Sequence, residues 1–291
     1  MSSLRLLACA AVLALAGSCT SPGGGVAPEP GPPPGTPTSS GTSSGSASDP
    51  NAGARLATPT PPPPRACYRL RFDELARPTN GSAPVPCTNR HNTTTIHVGR
   101  LDTLVGGRSV AVDSELVQRR IARTCPQKLA AFVGGTRSAR ALSRFSVVWF
   151  SPTLEEADRG ADWFRCDLIA FAAHETLLAL PPRGRLQSVL DRDGSLTTYG
   201  LCGTAAPGTA GFERVICSRR HSWRATSTIA LPGGHTYPGT ARVRSAGNAT
   251  CKERVRAARG FSIRFRYGWE WPSRDQWDRG QRYGYCWAPA P

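Results

Sequence analysis

Apolar and polar positions alternate and recur along the chain in a way that predicts a mixed fold. Cys67–Phe72 alternates and reads as a strand, and Thr93–Val98, rich in threonine, isoleucine and valine, reads as a second. From Ser114 to Phe132, Leu116, Ile121, Cys125, Leu129 and Phe132 recur at helical spacing, so a helix is expected there. Pro126 lies within it, and Gly134-Gly135 ends it. Phe145–Phe150 is a third strand. Further on, Phe212–Cys217, Trp223–Leu231 and Ser262–Trp269 read as strands, and Gly239–Ala258 as a weaker helix. Between the two groups, Ala172–Leu180 reads as helical before the breakers Pro181-Pro182 and Asp191–Gly194.

One pattern occurs twice. Pro152, five residues, Asp158-Arg159-Gly160, five residues and Cys166 is matched by Pro272, Asp278-Arg279-Gly280 and Cys286, with Trp149 falling on Trp269. Thr153 with Glu156, and Ser273 with Gln276, form capping boxes that start a short helix. Gly160 and Gly280 supply the positive φ that stops it. Cys87-x3-His91 is matched by Cys217-x3-His221, Thr124-Cys125 by Thr250-Cys251, and Cys67 by Cys202. Equal anchors with shortening loops are the mark of a duplication. The expected class is therefore α+β: two tandem disulfide-stapled domains, each an antiparallel sheet packed with one main helix and one short helix. The boundaries expected are repeat 1 at 66–170, a linker at 171–194, and repeat 2 at 195–291.

Residues 1–19 read as a signal peptide. Arg5 is followed by an apolar run, Leu6–Ala16, too short to span a bilayer, and Ala16-Gly-Ser-Cys19 resembles a lipoprotein cleavage box. Lipidation of Cys19 would anchor the chain to the outer face of the cell membrane; cleavage near Ala16 or Ser18 would secrete it instead. Residues 20–65 are Pro-, Ser-, Gly- and Thr-rich, with too little apolar surface to fold, and read as a disordered tether. The eight cysteines beyond it, four per repeat in an exported chain, read as disulfides. Three pairings per repeat are open, and first-with-second plus third-with-fourth closes the shortest loops. Zinc is the rival at Cys87/His91 and Cys217/His221, but no C-x-x-C accompanies them, so no metal or other cofactor is expected.

Charge adds a partner class. The chain carries +16, of which residues 1–65 hold three arginines against two carboxylates, leaving +15 for the remainder; its only lysines are Lys128 and Lys252. Outside the cytoplasm this excludes nucleic acid and points to wall polymers, anionic headgroups or partner proteins. Composition bias toward arginine accounts for the charge equally well. Arg90-His91 and Arg220-His221 are candidate binding pairs, with a plainer reading in which each ring hydrogen-bonds its turn. No nucleophile, metalloprotease motif or paired acids stand near them, so no enzyme is expected. Tyr283, Tyr285 and Trp287 alternate, which lines them up either as core or as an exposed aromatic strip.

Pro272, Trp277, Gly280, Arg282 and Cys286, with the upstream Cys217-x3-His221 and the Cys251 helix, resemble the septum formation family domain of actinobacterial envelope proteins. The first repeat keeps the Cys87-x3-His91 start but has Ala157 and Asp162 where the second has Trp277 and Arg282. The resemblance implies an anchored or exported envelope protein with a link to cell division, and adds Trp277 and Arg282 to the candidate binding residues. Two functions follow: a membrane-anchored interaction module whose partners are envelope or division proteins, or a protein that binds acidic cell-wall glycan or peptide through a basic, aromatic surface.

Overall fold

The computed structural model describes residues 57–291, and the expected signal peptide, the Cys19 lipid site and most of the tether lie outside the described residues. In chain order the first half runs β1 (Cys67–Tyr68), β2 (Thr93–Arg100), β3 (Leu104–Val105), β4 (Arg108–Ser109), α1 (Glu115–Val133), α2 (Arg137–Ala141), β5 (Phe145–Phe150), α3 (Leu154–Asp158), β6 (Trp163–Ala173) and β7 (Thr176–Leu177). The second runs α4 (Ser195–Tyr199), β8 (Leu201–Gly203), β9 (Arg214–Ile216), β10 (Trp223–Ala230), α5 (Thr240–Ala258), β11 (Gly268–Glu270), α6 (Arg274–Asp278) and β12 (Tyr283–Pro289).

Apart from the small β3-β4 hairpin, the strands form two antiparallel sheets of matching order, β1-β2-β6-β5 and β8-β10-β12-β11, with β7 added to the first and β9 to the second. The register matches too. Thr95 faces Asp167 and His97 faces Cys166 across a one-residue bulge, while Ala225 faces Trp287 and Ser227 faces Cys286 across another. Trp149 pairs with Cys166, and Trp269 with Cys286. Both short helices carry the expected capping boxes, and Gly160 and Gly280 follow them at φ 93° and 95°. The four disulfides are Cys67–Cys87, Cys125–Cys166, Cys202–Cys217 and Cys251–Cys286. The second and fourth bolt the long helix of each half to its middle strand. Cys87 and Cys217 are thereby taken out of any Cys/His metal pair.

Each main helix covers one face of its sheet. Val117, Ile121 and Cys125 of α1 meet Phe164 and Cys166, with the helix end, Phe132 and Val133, against Leu168 and Ala170. Val117 is buried where Leu116 was expected, a shift of one position around the helix. In α5 the buried stripe is Val243, Gly247, Cys251 and Val255, at every fourth residue, against Trp269 and Cys286.

The opposite faces differ by compensating exchanges. In the first sheet Arg165 lies between the rings of Tyr68 (3.9 Å) and Phe150 (4.7 Å). It is ion-paired at 3.0 Å with the fully buried Asp167, whose carboxylate also accepts the Thr95 hydroxyl (2.8 Å). In the second sheet the same strand positions hold Tyr285 and Trp287. Gly203 stands where Tyr68 would be, and a Cβ there would come 3.2 Å from Trp287 and 2.7 Å from Phe212. A large ring on the middle strand is thus accommodated by the loss of a side chain on its neighbour.

Several sequence expectations give way. The strand from Cys67 ends at Tyr68, and Phe72–Ala76 is a single 3-10 turn. Phe212–Cys217 shrinks to Arg214–Ile216. Ala172–Leu180 is extended where a helix was expected, because β6 runs on to Ala173 and turns back into β7. Ser262–Trp269 is strand only from Gly268: Phe261 enters with φ 58°, and in the register that sets Gly268 opposite Trp287, residues 262–265 would fall beyond the end of β12, while Arg266 and Tyr267 stay unpaired although β12 still runs opposite them. The expected linker 171–194 belongs to the packing: Leu180, Leu186, Val189 and Leu190 are buried with Phe132 and Phe145. The halves also exchange contacts. Leu142 packs among Leu201, Trp223 and Trp287, while Tyr199 stacks on Phe145 with ring centroids 4.9 Å apart. Among the described residues no helix is long and apolar enough to cross a membrane.

Candidate functional site

The clearest recess that draws on both halves is a groove of about 780 Å³ bordered by Arg144, Phe171 and His174 on one side and Phe212, Arg214 and Arg279 on the other. Its position follows from the crossing between the sheets. Arg144 sits at the start of β5, where its backbone N–H donates to the Tyr199 carbonyl (2.8 Å) and its carbonyl accepts from Phe171 N–H (3.0 Å). The same residue thereby ties β6 of the first half to α4 of the second.

The Arg144 side chain is held by carbonyls alone. Nε donates to Phe171 O (3.0 Å) and Nη2 to Ala173 O (3.4 Å), and the guanidinium lies over the Phe171 ring at 5.5 Å. Among the described residues it has no carboxylate within ion-pairing distance. Burial, aided by the neighbouring positive charge of Arg214, lowers it to about 10. A half-buried guanidinium left without a counter-charge gains from any anion that reaches it.

Arg214 is the contrasting member. Its Nε and Nη2 donate to Glu270 Oε1 (3.1 and 2.7 Å), and Glu270 Oε2 accepts from Trp287 Nε1 (3.0 Å), so its charge is balanced and its position set. Arg279, from the repeated Asp-Arg-Gly motif, reaches the rim, as do Glu175 and Glu213. Glu175 is left-handed (φ 49°), an uncommon conformation for a glutamate, in the tight β6–β7 turn. Phe72 meets Phe171 edge-on at 6.4 Å, so aromatic surface borders the cations. The arrangement suits a ligand bearing an acidic group beside a planar or apolar one. It offers no nucleophile hydrogen-bonded to a base.

The residues singled out from sequence fall elsewhere. His91 is buried with Nδ1 2.8 Å from Asn89 O, and His221 is half-buried with Nδ1 2.7 Å from Arg219 O; each closes its own turn. Arg90 and Arg220 beside them are exposed. Trp277 is fully buried, edge-on to Tyr237 at 5.9 Å and capped by the Arg282 guanidinium at 4.3 Å, so its ring has no open face. Arg282 also donates to the carbonyls of Trp277 and Gly234. Tyr285 and Trp287 are core, covered by Leu142 and Leu201. Sequence reasoning passed over Arg144 and Arg214. Only Arg279 carried a signal, as part of the repeated motif.

The family model described as Septum formation matches residues 67–286 as one continuous unit that spans both sheets. No curated protein and no solved structure matches the chain.

Proposed function

Because the chain belongs to the septum formation family, we propose that it is a binding module of the cell envelope that serves septum formation by engaging an acidic partner at Arg144. The four disulfides are consistent with an extracytoplasmic protein. Lipid on Cys19 would hold it at the outer face of the membrane, and residues 20–65 would give it reach. In this reading the halves are tandem copies of one ancestral unit, a view supported by the shared strand order, bulge and disulfide positions. The single observation that carries the binding role is Arg144, half-buried and, among the described residues, without a carboxylate partner, in a groove built by both halves. The protein binds; it does not catalyse.

Phe72, Phe171 and Phe212 beside the cations favour a second reading, in which the acidic partner is a wall glycan or peptide whose flat faces stack on the rings. Two experiments test and separate these. A fluorescent fusion should concentrate at division sites, and Arg144→Met should disperse it. Retention of the protein on purified cell wall, saturable and lost in Arg144→Met, would select the second reading. A fusion spread evenly around the cell, together with an Arg144→Met protein that behaves as wild type, sinks both.

A further inference from the structure

The segment that joins α5 to β11 leaves the fold at two consecutive left-handed residues, Gly260 (φ 65°) and Phe261 (φ 58°). For a phenylalanine this conformation is strained, and it is held by Phe261 N–H donating to Arg256 O (2.9 Å) with the Arg256 guanidinium 5.6 Å over the ring. The turn leaves Phe261 64% and Ile263 92% exposed. The matching turn of the first half, Gly134-Gly135, leads instead into α2 and buries Leu142 against the second sheet. Packing between the halves therefore explains the first turn and leaves the apolar tip of the second without a structural role.

The chemistry around that tip is one-sided. From Arg254 to Arg266 the chain has five arginines and no carboxylate. Among the described residues only Arg256 of these is ion-paired, with Glu253 at 3.0 Å. Arg254 and Arg259 donate to the carbonyls of Thr228 (2.9 Å) and Pro289 (2.6 Å), which aims them without neutralising them. Arg259, Arg264 and Arg266 border a pocket of about 600 Å³ that also takes in Phe265.

We infer that this tip is a membrane-contact surface for an anionic phospholipid bilayer. The guanidiniums of Arg259, Arg264 and Arg266 pair with headgroup phosphates, for which the planar fork is well matched. Phe261 and Ile263 enter the interfacial layer beneath them. A water-borne polyanion would satisfy the arginines but has no use for two adjacent exposed apolar side chains, which is why the bilayer is the favoured partner. This contact is separate from the groove at Arg144 and does not depend on it.

The test uses the full chain with Cys19→Ser throughout, so that no lipid contributes. Co-sedimentation is measured with vesicles of phosphatidylglycerol and phosphatidylcholine, and with phosphatidylcholine alone. Parent protein should partition onto the anionic vesicles and be released by salt. Phe261→Ser with Ile263→Ser should reduce partitioning about tenfold or more, as expected for two large apolar groups. Arg264→Gln with Arg266→Gln should reduce it roughly fivefold per arginine. Both pairs are on the surface, and unchanged near-ultraviolet circular dichroism will verify that the variants fold. The proposal is overturned if parent protein shows no preference for anionic vesicles, or if the Phe261/Ile263 variant binds them as parent does. Retention of parent and variant alike on polyglutamate beads, without vesicle binding, also overturns it and marks a plain polyanion surface.

Discussion

Trp269 lies directly against Gly247, so that a Cβ built on that glycine would overlap the six-membered part of the indole. Helix α5 carries a glycine in mid-span because β11 places a tryptophan there. The matching positions of the first half are Ile121 and Trp149, and there the tryptophan swings aside to donate to Gln118 Oε1 (3.1 Å). In an open helix Gly→Ala would stabilise by roughly 1 kcal/mol. Gly247→Ala should instead destabilise by about 1–3 kcal/mol, since the ring is wedged between helix and strand. Urea unfolding decides the sign, and a stabilised Gly247→Ala protein would contradict the packing described.

Asp167 gives a pH dependence whose direction can be worked out. Its carboxyl is pushed up to about 6 by burial, against the pull of Arg165 and the Thr95 hydroxyl, from an unfolded value of 3.8. The folded state therefore holds this proton more tightly than the unfolded state. The contribution is fully present below about pH 4 and lost as pH rises through about 6, up to about 3 kcal/mol in all. The stability difference between wild type and Asp167→Asn should shift in that direction between pH 4 and 6.5. A shift of opposite sign would mean that attraction to Arg165 outweighs burial.

Glu270 balances Arg214 and receives the Trp287 indole at once. Glu270→Ala strands the half-buried Arg214 and the buried Trp287 indole and should cost roughly 2–4 kcal/mol. Thermal unfolding measures the loss. Tryptophan emission should change with it, because Trp287 is otherwise fully buried.

Cys251–Cys286 joins α5 to β12, the helix with the narrower buried stripe. Replacing both cysteines by serine should cost about 2–5 kcal/mol. Its counterpart Cys125–Cys166 should matter less, because α1 also buries Phe132 and Val133. Equal losses would show that the helices are held equally by their side chains. Non-reducing peptide mapping should recover the four pairs described and no bridge between the halves.

Much of this fold was readable in the chain, and the reason is locality. Both capping boxes, the Gly160 and Gly280 turns, the long helices and the cysteine order depend on residues within a few turns of one another. The groove depends on none of that. Arg144 is unremarkable in sequence, and only the meeting of β5, β6 and α4 half-buries it. Trp277 misled for the same reason: its burial is completed by Tyr237, forty residues earlier, and by Gly233, where a Cβ would come 3.0 Å from the ring. The strand expected from Ser262 is confined to its end because alternation cannot report that the neighbouring strand stops at Pro289, which leaves residues 262–265 nothing to pair with. Compensating exchanges such as Tyr68 for Gly203 hide the likeness of the halves from residue-by-residue comparison while preserving it in the register.

The bridges have a mechanical consequence. Each closes within its own half, across 20, 41, 15 and 35 residues, and those spans are withheld from extension for as long as the sulfurs stay joined. A chain drawn taut at its two ends would otherwise lengthen by up to ~3.5 Å for each residue released. Here a pull arriving ahead of Cys67 meets a covalent stop at the first residue of β1 and passes through the bridge to Cys87, so that the residues between them stay slack. Load then passes on into β2. The domain yields a short length and stiffens, behaving as a shackle between whatever its two ends are fastened to.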